Sequence, residues 1–174
     1  MAKLSRVVSL NVSILLLILL FISGKPANAQ EKDYSFAVII NPVGLVFGVF
    51  GLNLEFQKVK IAGANPGIGA GFASWWTASA YAFDVYLRWF LDKEMKNAGL
   101  NVKAGVNPWI VTWSGGNTFG FSIYGVGGYR FVFDPKGRFF IDLGIGAGFW
   151  NVRWGTWSVA GIRPVIEGAL GIKF

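Results

Sequence analysis

Two groups of residues in this chain have the type and spacing to do chemistry. One is a glycine-rich hexapeptide, GIGAGF, found at 67–72 and again at 144–149; the other is a set of carboxylates and cations, each set in an apolar run. Glycine-rich turns cradle phosphates when Gly fills the first, third and sixth places of a strand-to-helix turn, or when Gly-Lys-Ser/Thr closes the loop. Here Gly holds the first, third and fifth places, Phe holds the sixth, and no Gly-Lys-Ser/Thr follows. That spacing is the period of two that belongs to a strand. Catalytic and metal chemistry is poorly served as well. The chain has no Cys and no His, which removes disulfides, thiol chemistry and the commonest general base and metal ligand. Ser74, Ser79, Ser114 and Ser122 read as loop and rim residues. No catalytic, cofactor-binding or metal-binding residue is assigned, and the chain is expected not to be an enzyme.

The elements that position these residues begin after an export signal. Lys3 and Arg6 precede an apolar stretch through Ile22, and Ala27-Asn28-Ala29 follows it. This is the layout of a cleaved secretory signal over 1–29, leaving 30–174 as one domain. Cleavage would remove Lys3, Arg6 and Lys25 and no acidic residue, lowering the formal charge from +7 to +4. No Lys/Arg run remains to track a phosphate backbone, so nucleic acid is not an expected partner. The chain is 53% hydrophobic, yet past the signal no apolar run reaches the ~18 residues of a helical span. In hydrocarbon, the other structure that satisfies every backbone group is a closed β-barrel.

The alternation supports one. In RPVIEGALGIKF (163–174), Ile166, Leu170, Ile172 and Phe174 share one face and Arg163, Glu167 and Lys173 the other. Arg or Lys facing lipid at mid-bilayer costs about 2–4 kcal/mol, which assigns the charged face to the lumen. The same parity along the chain predicts an all-β, eight-stranded antiparallel transmembrane β-barrel with short periplasmic turns and short outer loops. Its inward charges are four acids, Glu55, Asp84, Asp142 and Glu167, against five bases, Arg88, Lys103, Arg130, Arg163 and Lys173. An eight-stranded barrel has an interior that side chains fill, so the glycines of both GIGAGF copies are expected to clear space for these long neighbours. DPKG (134–137) reads as a tight turn that sets Phe133 opposite Phe139 and Arg130 opposite Asp142. The same counting sets Asp142 opposite Lys173. Aromatics are expected in two belts. Trp75, Trp76, Trp109, Trp113, Trp150, Trp154 and Trp157 mark the outer end, and Tyr34, Trp89, Phe131, Phe133, Phe139 and Phe174 the inner one. Pro42, Pro66, Pro108 and Pro164 fit this scheme poorly, because each forfeits a ladder hydrogen bond inside a strand.

With these patterns the segment 30–174 resembles the small eight-stranded bacterial outer-membrane proteins of the OmpA/OmpX kind. INPVGLVFGVFGLNLEF (40–56) and YLRWFL (86–91) are also similar to a family of outer-membrane barrel domains of unassigned function. The resemblance implies an outer-membrane location and contact with outer-membrane lipid and lipopolysaccharide. It also implies that the barrel assembly machinery reads Leu170, Ile172 and Phe174 as a terminal signal. OmpA's anchoring to peptidoglycan does not carry over, since no such domain is expected after the barrel. Three functions are then open: a structural or interaction protein with a filled, charge-paired lumen; a narrow channel for small solutes; and a lipid-modifying enzyme, for which the missing His is a poor start. The uncharged stretches ASWWTASA, SGGNTFG and WGTWSVAG are ill suited to a large extracellular ligand, and the oligomeric state is left open.

Overall fold

The computed structural model describes residues 35–42, 44, 48–57, 66–75, 79–91, 98–134, 136–154 and 157–174. The expected signal at 1–29 and the segments 58–65 and 92–97 lie outside the described residues. Eight strands follow one another: β1 (Phe36–Ile40), β2 (Val49–Phe56), β3 (Gly67–Trp75), β4 (Ala80–Phe90), β5 (Gly99–Trp113), β6 (Gly116–Val132), β7 (Phe139–Trp154) and β8 (Trp157–Lys173). Each pairs antiparallel with its sequence neighbours, and β1 pairs with β8, giving a closed all-β barrel. Phe174 fastens that closing seam. Its carbonyl accepts the Ser35 N–H at 3.0 Å, its N–H donates to the Phe36 carbonyl at 2.8 Å, and its ring stacks on Phe36 at 5.2 Å.

The strands form where apolar and polar residues alternate, and the faces are inverted relative to a protein built for water. Ile145 and Ile166 are 71% and 70% exposed, while Arg88 and Arg130 are each 1% exposed. The outward row of β4, with Tyr81, Phe83 and Val85, faces away from the barrel axis; Ala82, Tyr86 and Arg88 are buried inside. The barrel wall thus carries apolar side chains on its outside and charge within.

Glycines make the interior fit, by two different means. A Cβ at Gly69 would fall inside the ring of Tyr86, one at Gly105 would crowd the ring of Tyr124, and one at Gly171 would fall inside that of Phe140. The first GIGAGF copy therefore clears space, but chiefly for Tyr86 and Asn53 rather than for the charges expected there; of its glycines only Gly67 lies against one, Glu55. In the second copy a Cβ at Gly146 would strike the carbonyl oxygen of Gly125, so this glycine admits the backbone of the adjacent strand rather than a side chain. Gly69→Ala should destabilise the fold by about 1–3 kcal/mol through overpacking against Tyr86. Gly125→Ala, where an added Cβ meets nothing within 4 Å, is the matched control and should leave the urea midpoint in place. Equal shifts in both variants would show that the Tyr86 contact does not matter.

The prolines find places that tolerate them. Pro66 immediately precedes β3 and Pro42 lies just beyond β1. Pro164 stands opposite Ala147 on β7, and the β1 ladder reaches only from Ala37↔Lys173 to Ile40↔Leu170, so no β1 partner awaits an N–H from Pro164. Pro108 is costlier. It pairs with Phe121 on β6, but the β4–β5 ladder jumps from Ala82↔Trp109 to Val85↔Val106, leaving Phe83 and Asp84 out of it. A residue without an N–H explains a gap at that point.

Candidate functional site

The lumen is crossed by a connected network of charges drawn from six strands. Arg130 on β6 and Asp142 on β7 are directly opposite one another and meet in a two-point contact, Nε to Oδ1 at 2.7 Å and Nη2 to Oδ2 at 2.8 Å. The planar fork of the guanidinium matches the carboxylate edge. Arg130 also reaches across the barrel to β2, where its Nη1 lies 2.8 Å from Glu55 Oε1. Arg88 on β4 joins three strands: its Nη1 is 2.8 Å from Asp142 Oδ2, its Nη2 is 2.7 Å from Glu167 Oε1 on β8, and its Nε is 3.1 Å from Glu55 Oε2. The last contact is coulombic only, since the Nε–H itself has no hydrogen-bond partner. Lys103 on β5 donates to Glu167 Oε1 at 3.2 Å and lies 3.8 Å from Asp84 Oδ2.

Neutral side chains complete the packing. The Tyr86 hydroxyl donates to Glu55 Oε2 at 3.1 Å, and Gln57 Nε2 donates to Glu55 Oε1 at 3.1 Å. Asn101 accepts from Arg88 at 3.3 Å. Rings cover the cations: Arg130 lies 3.9 Å from the centroid of Phe140, and Lys103 lies 4.0 Å from that of Tyr86. Buried ion pairs of this kind roughly break even against an apolar core of equal volume, but removing one partner is expensive. The network thus specifies how the lumen is filled more than it stabilises the fold.

Of the nine charges expected in the lumen, Glu55, Asp84, Arg88, Lys103, Arg130, Asp142 and Glu167 come together in this network. Lys173 is buried near Phe140, with 5.9 Å from Nζ to the ring centroid, but its strand position is not the expected one. Asp142 stands opposite Ala169, and Lys173 pairs with Ala37 on β1. The β7–β8 register is set by Trp154↔Trp157, which leaves only Gly155 and Thr156 between the paired residues. A shift by an even number of residues preserves the inward face, so parity alone did not reveal it. Asp142's second cation is Arg88, from across the barrel. Arg163 also departs from the expectation: it shares the inward parity opposite Gly148 but is exposed, with no ion pair among the described residues.

Above the network, toward the end that carries Val49 and Trp75, lies a cavity of about 210 Å³. Asp84, Lys103 and Glu167 line it along with Asn53, Trp109 and Trp150. Trp75, Trp109 and Trp150 were expected in an outer belt, yet they pack inside, with Ala80, Ala82 and Val111. Trp109 has inward parity and finds a donor's partner there, Ser122 Oγ at 3.2 Å. Ser122 is therefore an interior residue rather than a rim one. Phe131, Phe133, Phe139 and Phe174 do stand exposed at the opposite end. Tyr34, Trp76 and the side chains of Trp154 and Trp157 lie outside the described residues.

Alternation places Asn101 and Tyr124 on the inward face, where they are found, but sequence reasoning missed Tyr86 and Phe140 as members of the packed lumen. A signal for both was present: each lies over an inward glycine of a neighbouring strand, Gly69 and Gly171. No protein-family model, no curated protein and no solved structure matches this chain.

Proposed function

We propose that the chain is an integral bacterial outer-membrane β-barrel, of OmpA/OmpX-like type, with a structural or interaction role and a lumen closed by paired charges. The inversion of its faces carries the reading: exposed Leu54, Phe83, Ile123, Ile145 and Ile166 outside, buried Arg88, Arg130, Glu55 and Asp142 inside. Strands β3 to β8 have 9 to 17 residues, and a tilted strand needs about 9–11 to cross a bilayer. In this reading the outward rows contact outer-membrane lipid, with lipopolysaccharide at the end bearing Val49 and Trp75. Leu170, Ile172 and Phe174 are the terminal signal read by the assembly machinery, and Phe174 then closes the seam. The span of Arg88 from β4 to Glu167 on β8 favours a closed lumen over a narrow channel.

Two measurements on refolded protein test this. A closed barrel resists detergent until boiled, so the unboiled protein should migrate differently from the boiled one on a gel. In a planar lipid bilayer it should be silent. Equal mobility before and after boiling would overturn the barrel in membranes, and steady ohmic openings would overturn the closed lumen.

A further inference from the structure

The cavity above the ion network has a chemistry that the network does not consume. Two of its lining residues are carboxylates, Asp84 and Glu167, against one cation, Lys103. Their compensation is unequal. Glu167 receives both Arg88 at 2.7 Å and Lys103 at 3.2 Å, whereas the nearest cation to Asp84 is Lys103 at 3.8 Å, beyond hydrogen-bond reach. Asp84 otherwise has two neutral partners, the Tyr124 hydroxyl, 2.8 and 3.1 Å from its two oxygens, and the Asn107 side chain. A largely buried carboxylate without a hydrogen-bonded cation favours a positively charged neighbour.

The walls add a further requirement. Asn53 and Trp150 line the cavity, although their unpartnered Oδ1 and Nε1 atoms are themselves buried, turned toward Gly71 and Gly148. Trp109 and Trp150 present rings 5.4 Å apart at 37°, suited to an aromatic body or to a cation on a ring face. The neighbouring Lys103 ammonium, 4.0 Å from the centroid of Tyr86, shows that this interior holds an alkylammonium between carboxylate and ring. The volume of about 210 Å³ exceeds the roughly 150 Å³ that accommodates benzene in an engineered cavity.

We infer that this cavity is a binding site for a small aromatic amine in its ammonium form. The ammonium lies against Asp84, and the ring against Trp109 and Trp150. The inference rests on the closed-lumen reading, because the ion network is the floor of the site. An anion of the same shape would meet two carboxylates against one cation and is disfavoured by charge.

The test is calorimetric titration of the refolded barrel in micelles with tyramine, 3-(4-hydroxyphenyl)propionate and 4-ethylphenol, which share a ring and differ in charge. Tyramine should saturate with a dissociation constant of about 1 mM or tighter, and the anion and the neutral phenol should bind at least about tenfold more weakly. Asp84→Asn should weaken tyramine by a similar factor. Gly51→Leu is the independent variant: an added Cβ there meets only Asn41 Cβ at 3.6 Å, so the side chain grows into the cavity without touching the ion network. It should abolish binding while the heat-dependent gel shift persists. No saturation by tyramine, equal binding of all three compounds, or full binding by a folded Gly51→Leu protein would overturn the site. A folded, silent barrel that ignores tyramine counts against this inference alone; a protein that conducts, or shows no gel shift, counts against the closed-lumen reading beneath it.

Discussion

Asp142→Ala is expected to lower the stability of the barrel by about 3–5 kcal/mol, the cost of removing one partner from a buried ion pair, and less where water reaches the site. Asp142 is 1% exposed and holds two guanidinium groups, Arg130 at 2.7 and 2.8 Å and Arg88 at 2.8 Å. Without it Arg130 keeps only Glu55, and two cations remain close together with one fewer carboxylate between them. Replacing both members, Arg130→Met with Asp142→Leu, should recover part of the loss. Full recovery is not expected, because Arg130 also binds Glu55 at 2.8 Å. The measurement is a double-mutant cycle by urea unfolding in lipid vesicles, where a coupling of about 0.5–3 kcal/mol is expected for residues in contact. Arg163→Gln, at an exposed position with no ion pair among the described residues, should be neutral in the same assay. Neutral single changes at 130 and 142, or strictly additive ones, would mean that water rather than the partner charge satisfies these groups.

The second large effect is on conduction. Arg88→Ser combined with Glu167→Ser removes both ends of the 2.7 Å bridge between β4 and β8 and shortens two of the long side chains that fill the lumen. The double change removes one charge of each sign, so the remaining carboxylates Glu55 and Asp142 still face Arg130 and the barrel should fold, with reduced stability. A silent protein should then show discrete openings in a planar bilayer. Lys103 loses its nearest carboxylate but keeps Asp84 at 3.8 Å. Openings should be absent from the single variant Glu167→Gln, whose side chain keeps its length. A double variant that folds and remains silent would show that the layer of Arg130, Tyr86 and Phe140 closes the lumen without Arg88.

How far the sequence reached follows from the physics of a strand. Side chains alternate with a period of two, so the face of Arg88, Arg130, Asp142 or Glu167 was legible from its neighbours alone. The cost of a charge in hydrocarbon then assigned that face to the interior. The DPKG turn is local, and it placed Arg130 opposite Asp142. Lys173 marks the limit. Its parity was readable, but its register depended on the Trp154↔Trp157 hairpin, and slips of two or four residues leave every side chain on the same face. Arg163 has the parity of the lumen yet is exposed, since parity carries no information about height along the barrel axis. Likewise the inward Trp109 and Trp150 are indistinguishable in composition from members of an outer aromatic belt.

What only the tertiary structure decided is which charges meet across the lumen. Arg88 with Glu167, and Arg130 with Glu55, lie 79 and 75 residues apart in the chain. Their meeting depends on barrel closure, strand stagger and the room left by Gly69, Gly105 and Gly171, none of which a local pattern encodes. The sequence by itself determined the strands, their faces and one local ion pair, because alternation and tight turns act over a few residues. The cross-lumen network, and the cavity it leaves under Trp109 and Trp150, arose from closing the sheet, because only closure brings non-neighbouring strands within the reach of a side chain.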